Sequence, residues 1–310
     1  MPAYRELVTR LKQPAGNARI VVLDAAKSYL LAALYSSLGL PTLVVTAQPE
    51  TAKKLYEQLL VWQASPHFHL LPELDALPYQ RVAGDTSTGL ERIQVLSALA
   101  DSQRTGEAPL VVASAAAVMP KTTSVADFMS TFHTIELGMN IDPLKLLRRW
   151  EAMGYALEHT VEVPGTMSHR GGIVDIYPPT SDHPVRLEFF GNTIDSIRYF
   201  DPATQRSQDK VTSVTIGAAT EMLAPFMKDP PELLNSLDLS GLKPEVRAQF
   251  EQELSLLVDK HKPDDMLFYA PLLNHDSIIS YLPPHALLVL DEPALMRQAM
   301  SKLDKEAREL

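Results

Sequence analysis

The sequence predicts an α/β protein in which a parallel-sheet scaffold is interrupted by a strand-rich α+β insertion. Three observations predict it. Continuous apolar runs at 20–23, 41–46 and 109–114 alternate with helical segments, as strands buried on both faces of a parallel sheet do. Beyond Met119 the pattern changes to short alternating strands punctuated by turn residues. Another apolar run then returns at 286–290. The boundaries this implies are 1–129 and 215–310 for the scaffold and 130–214 for the insertion.

The elements follow in order. Ile-Val-Val-Leu at 20–23 reads as a strand, 27–38 as a helix ended by Gly39, 41–46 as the next strand and 49–62 as a second helix. The segment 71–79 and a helix near 90–100 lead to the strand at 109–114. Asp142 supplies an N-cap, Pro143 a first-turn proline and Gly154 a stop for a helix carrying Leu144, Leu147 and Trp150. Residues 169–201 read as three short strands, with Gly191-Asn192 as a two-residue hairpin turn. Alternation over 185–190 puts Val185, Leu187 and Phe189 on one face and Arg186, Glu188 and Phe190 on the other. A helical, proline-punctuated stretch at 225–280 precedes the last strand, and a polar helix at 294–310 follows it.

Composition excludes several functions. The 310 residues are 45% hydrophobic and 21% charged, ample for a folded core. No run approaches the ~18 apolar residues of a membrane span, and the first residues lack the apolar core of a signal peptide. With no cysteines, disulfides, thiolate metal sites and cysteine catalysis are out. The expectation is a cytoplasmic protein without a membrane partner. The net charge of −10 argues against the counterion-releasing phosphate contacts that DNA binding needs. Residues 130–212 hold eight Lys/Arg against eleven Asp/Glu, so the insertion is not basic either.

Chemistry-bearing constellations are few. His67 and His69 flank Phe68 without a third ligand nearby, so no metal set is expected. Asp175 and Glu188 sit in alternating strands and read as ion-pair or solvated carboxylates rather than an acid/base pair. Val21-Val-Leu-Asp-Ala-Ala26-Lys27-Ser28 occupies the place of a phosphate loop, but both glycines that let backbone amides wrap phosphate are replaced, by Val21 and Ala26. Asp24 adds negative charge there. Asp291-Glu292, after the last apolar strand, stands where a Mg²⁺-binding aspartate and a water-orienting glutamate would follow it. The alternative reading of Lys27-Ser28 is an ordinary helix start, and of Asp291-Glu292 an acidic helix N-terminus.

Arg170-Gly-Gly-Ile-Val-Asp-Ile-Tyr-Pro, then Arg186-Leu-Glu-Phe-Phe, then Ile194-Asp-Ser-Ile-Arg-Tyr-Phe-Asp-Pro-Ala-Thr-Gln-Arg-Ser resembles the UvrA-interaction domain. That domain is shared by the excision-repair protein UvrB and the bacterial transcription-repair coupling factors. The broken phosphate loop is similar to that of the coupling factors, whose N-terminal UvrB-like region has lost nucleotide binding, whereas UvrB keeps its loop intact. The resemblance covers essentially the whole chain, and implies a degenerate RecA-like scaffold and an N-terminal piece of a longer protein. It implies UvrA contacts at Arg170, Arg186 and Phe190. Arg198, read as facing the Val185 register across the hairpin, is a weaker member of that face, and Glu188 is placed to pair with these arginines. Arg186 and Phe190 share a strand face by alternation; Arg170 joins them through the resemblance alone. Phe190 could instead be covered by a neighbouring loop, and Arg186 could be merely solvated.

The expected function is therefore recruitment of excision repair through UvrA, with no catalysis by this chain and no cofactor. In the resembled family ATP and Mg²⁺ serve a motor region, and RNA polymerase and DNA are bound, all outside these residues. The alternative is a UvrB-like nucleotide-dependent ATPase or helicase domain using Lys27, Ser28, Asp291 and Glu292.

Overall fold

The structure, a computed structural model, describes residues 2–74, 86–223, 236–258 and 266–309. Contacts divide the chain into two compact units. One comprises Met1–Asp75, Val95–Pro120 and Ser277–Leu310, and the other comprises Ala76–Gln94 and Lys121–Asp276.

In the first unit, β1 (Thr42–Thr46), β2 (Phe68–Leu71), β3 (Leu110–Ser114) and the last strand of the chain, β12 (Leu287–Leu290), form a parallel sheet. Its order is β12-β1-β3-β2. Every residue of β1 and β3 is buried, which is why their sequences are apolar but for Thr42, Thr46 and Ser114 at the strand ends. The helices Asp24–Leu38 and Pro49–Trp62 contribute Leu31, Leu55 and Leu59 to one cluster with Val44 and Val112. The expected strand at 20–23 does not form. β1 has β3 on one side and β12 on the other, so the slot beside it is taken from the far end of the chain. Val21 is left 98% exposed. β2, obscured in the sequence by His67 before it and His69 within it, takes the outer place beside β3.

The inserted unit is built on β4 (His133–Glu136), β5 (Ala156–Leu157), β6 (Thr166–Arg170), β7 (Ile173–Ile176), β8 (Val185–Phe190), β9 (Thr193–Phe200), β10 (Ser207–Lys210) and β11 (Ser213–Ile216). Six of these form a sheet in the order β10-β9-β8-β7-β6-β5, antiparallel except for the β5–β6 pair, while β4 and β11 pair separately. The helix Pro143–Ala152 starts and stops as its sequence signals. Asp142 accepts from the Leu144 amide at 2.9 Å, and Gly154 takes φ +97°. Its buried side chains are Leu146, Leu147 and Trp150, in one core with Val174, Leu187 and Ile197 from the sheet. Leu144, expected on that face, is exposed, because it lies at the flank of the stripe centred between Leu146, Leu147 and Trp150.

The inserted unit extends beyond the 130–214 range read from the sequence. Met222, Leu254, Leu257 and Tyr269 form a cluster of their own. Thr122 bridges Asp276 across backbone hydrogen bonds of 3.0 and 3.1 Å, and the Asn274 amide donates to the Lys121 carbonyl at 3.2 Å. These ties join 121–129 to the segment before Ser277. Arg92, wholly buried, donates to both carboxylate oxygens of Glu221 at 2.6 and 3.4 Å. Of the stretches named from sequence, 75–79, 225–235 and 259–265 lie outside the described residues.

Candidate functional site

The arginines singled out by sequence come together on one face of the six-stranded sheet. The register places Ser168, Asp175, Arg186 and Arg198 side by side across β6, β7, β8 and β9. The next row is Arg170, Ile173, Glu188 and Ser196. Because alternate residues share a face, Arg170, Asp175, Arg186, Glu188 and Arg198 all point away from the core residues Val174, Leu187 and Ile197. Arg170 thus joins the face by register, a placement periodicity alone could not supply. Arg198 lies opposite Arg186 rather than in the Val185 register, which belongs to Tyr199.

The β8–β9 hairpin closes on Gly191-Asn192, with Gly191 at φ +61°, a conformation glycine adopts without steric cost. The register shifts between Glu188 and Phe189, so that Phe189 meets Ile194 and Phe190 meets Thr193. This bulge leaves Asp195 as the extra residue and keeps Phe189 against the core. Phe190, at the end of β8, is 84% exposed. No described loop covers it.

The charged centre of the face is Asp175, whose side chain is 0% exposed. Arg186 donates to it from Nε and Nη2, both at 2.8 Å, the two-pronged geometry that makes arginine–carboxylate pairs strong. Arg186 Nη1 donates to the Gln205 carbonyl at 3.2 Å, and the guanidinium carbon lies 4.5 Å over the Phe200 ring. The bonds to Asp175 raise the Arg186 pKa against the opposing effect of burial. Arg170 Nη2 reaches Asp175 Oδ2 at 3.4 Å with its side chain 56% exposed. Arg198 donates to Ser196 Oγ at 2.9 Å and to Glu188 at 3.5 Å. The face therefore sets three guanidinium groups against two carboxylates. Arg186, which the sequence left open as a partner contact or a merely solvated side chain, turns its fork onto Asp175 inside the protein. Asp175 and Gln205 are the residues sequence reasoning undervalued; the usable signal was an acid in the otherwise apolar strand Ile-Val-Asp-Ile.

A second constellation forms in the scaffold unit. Lys27 Nζ lies 2.9 Å from Asp291, 3.1 Å from Glu292 and 3.1 Å from Asp24. The paired positions named from sequence thus meet, because β12 ends beside the first turn of the helix Asp24–Leu38. Burial disfavours the ammonium, but the three carboxylates more than offset it and hold the Lys27 pKa above the usual lysine value. Lys27 in turn holds the Asp24 pKa below the usual carboxylate range. Ser28 is buried, and its hydroxyl accepts from Trp62 Nε1 at 3.2 Å. Among the described residues, no group of three or more His, Asp or Glu is placed to hold a metal ion. No described helix is long and apolar enough to cross a membrane.

A sheet presenting an exposed aromatic at the edge of an ordered charged face has the chemistry of a protein-docking surface. Residues 134–222 match the UvrB interaction domain family. Beyond that segment, the chain is 29% identical over 92% of its length to the transcription-repair-coupling factor of Bacillus subtilis, covering 25% of that protein. It is 37% identical over 64% of its length to that of Myxococcus xanthus, covering 17%, and 27% identical over 96% to that of Staphylococcus aureus, covering 26%. The chain is thus similar to transcription-repair-coupling factors over most of its length. It spans about a quarter or less of these relatives.

Proposed function

We propose that this chain recruits nucleotide excision repair by binding UvrA through the outer face of the β6–β9 sheet. The observation that carries the reading is Phe190, an 84%-exposed aromatic at the end of a strand inside the UvrB interaction domain. Leaving such a ring in water is unfavourable, and docking removes it from water with little ordering cost because the hairpin already fixes it. Arg170, Glu188 and Arg198 supply the polar rim that orients a partner. The partner patch that fits is an apolar pocket bordered by carboxylates.

We further propose that the scaffold binds no nucleotide and that the chain is not itself an enzyme. What supports this is the state of the degenerate site. Lys27 is already neutralised by its own carboxylates, and a phosphate arriving there would meet Asp24, Asp291 and Glu292. Motor activity, ATP and Mg²⁺ use, and contacts with RNA polymerase and DNA are assigned to the rest of a longer protein of the relatives' kind, acting in the cytoplasm.

Titration calorimetry of the chain against UvrA tests the docking reading. Wild type is expected to bind with micromolar or tighter affinity. Phe190→Ala is expected to weaken binding about 30-fold, the loss typical of a central anchor worth ~2 kcal/mol, with melting unchanged. Equal binding by wild type and Phe190→Ala would overturn the assignment of the face.

A further inference from the structure

We propose that Asp175 is the positioning residue of the docking face, and that it orients the exposed Arg170 toward the partner. This rests on the docking reading above and divides its labour. The side chain of Asp175 is fully buried, yet its two oxygens collect donors from two arginines on two different strands. Arg186 uses Nε and Nη2 on Asp175 and Nη1 on the Gln205 carbonyl, and its plane lies over Phe200. Its side chain is only 13% exposed. With three of its five N–H donors engaged, this guanidinium is held as a fixed floor of the face.

Gln205 is built for the same purpose. It holds a positive φ of 59°, a strained conformation for a non-glycine residue, and its side-chain amide donates to Val161 O at 3.1 Å and to Pro202 O at 2.7 Å. Those bonds pin the loop so that the Gln205 carbonyl faces Arg186. Arg170 stands differently. It makes one long contact to Asp175, from Nη2 at 3.4 Å, and most of its side chain is in solvent. Asp175 therefore anchors one edge of the Arg170 guanidinium and leaves the other toward the partner, at the rim that Phe190 shares. A partner carboxylate approaching this face meets an arginine already oriented, so the side-chain ordering that binding normally costs is largely met beforehand.

The experiment is a double-variant cycle with UvrA as the ligand, using Asp175→Asn, Arg170→Ala and the pair together, each melted in parallel. Asp175→Asn keeps the shape of the carboxylate and removes its charge. It is expected to weaken binding about 10-fold, and Arg170→Ala by a similar factor. The pair is expected to be no more than about twofold weaker than Arg170→Ala alone, because two residues acting through one contact are not additive. A purely structural Asp175 would give multiplicative losses and overturn the proposal, as would wild-type binding by Asp175→Asn. Should Asp175→Asn lose its cooperative melt, Asp175→Glu, which keeps the charge and displaces the fork, is put through the same cycle and judged by the same criteria. Absence of binding by wild type would sink the docking reading and this proposal together. Wild-type binding that Phe190→Ala weakens, with no coupling between positions 175 and 170, sinks this proposal alone.

Discussion

His133 shows how one residue carries the surroundings of a whole core. Trp150 Nε1 donates to its Nε2 at 3.0 Å, and its Nδ1 lies 3.0 Å from the Thr131 carbonyl. An indole N–H can only donate, so Nε2 must be the bare nitrogen and Nδ1 carries the proton. Protonating the ring would set two N–H groups against each other. Burial lowers the His133 pKa, the Thr131 bond opposes that, and Arg149 adds to the lowering. The stability consequence follows from which state takes the proton first. The unfolded chain protonates near the ordinary value of about 6.5, while the folded chain resists. Stability is therefore complete above that pH and falls as the solution is acidified through it. His69 is lowered as well, chiefly by burial, and adds a slope of the same sign. Urea midpoints measured from pH 7.5 to 5.5 should drop for wild type and drop less steeply for His133→Gln. An identical slope in both would show that His133 is not a source.

At the scale of elements, the helix Pro143–Ala152 and the β8–β9 hairpin are the parts most legible in the sequence. Their signals are contained within a few residues. A capping aspartate, a first-turn proline, a terminating glycine and a Gly-Asn turn each act through backbone conformation nearby. Gly154 carries a further demand that lies outside the helix. A Cβ there would come within 2.5 Å of Thr220 Cγ2, besides the strain of its positive φ. Gly154→Ala should destabilise the protein by about 2 kcal/mol or more, read as a lowered urea midpoint. A change within 0.5 kcal/mol would mean that Thr220 yields freely. Leu144 was misread because helical spacing alone does not say which of several leucines faces the sheet. Leu146, two residues on and on the opposite side of the helix, packs inside.

Across the whole molecule, contacts between distant parts of the chain decide what the motifs can do. Lys27 and Glu292 are 265 positions apart and share a hydrogen bond, so an internal carboxylate occupies the lysine that a phosphate would need. Glu292 does this from a positive φ of 49°, a strained conformation for a non-glycine residue. Replacing the lysine leaves the partly buried Asp291 without its cation. Lys27→Met should therefore destabilise the fold by about 2 kcal/mol while leaving calorimetry with MgATP unchanged and flat. MgATP heat in wild type that vanishes in Lys27→Met would reverse the nucleotide reading and revive the ATPase alternative.

The sequence by itself determined the α/β class, the presence of a strand-rich insertion, the helix caps, the hairpin turn and the resemblance to a UvrA-interaction domain. These depend on periodicity, turn chemistry and an ordered motif, all local in the chain. Only the tertiary structure decided that β12 and not residues 20–23 lies beside β1. It alone decided that the Arg186 fork is spent on Asp175, that Lys27 is spent on three carboxylates, and that Arg92 is buried against Glu221. Each of these is a choice of partner among charges or strands far apart in sequence. Such a choice is set by which groups share a desolvated neighbourhood after the strands are in register, and no local pattern records that.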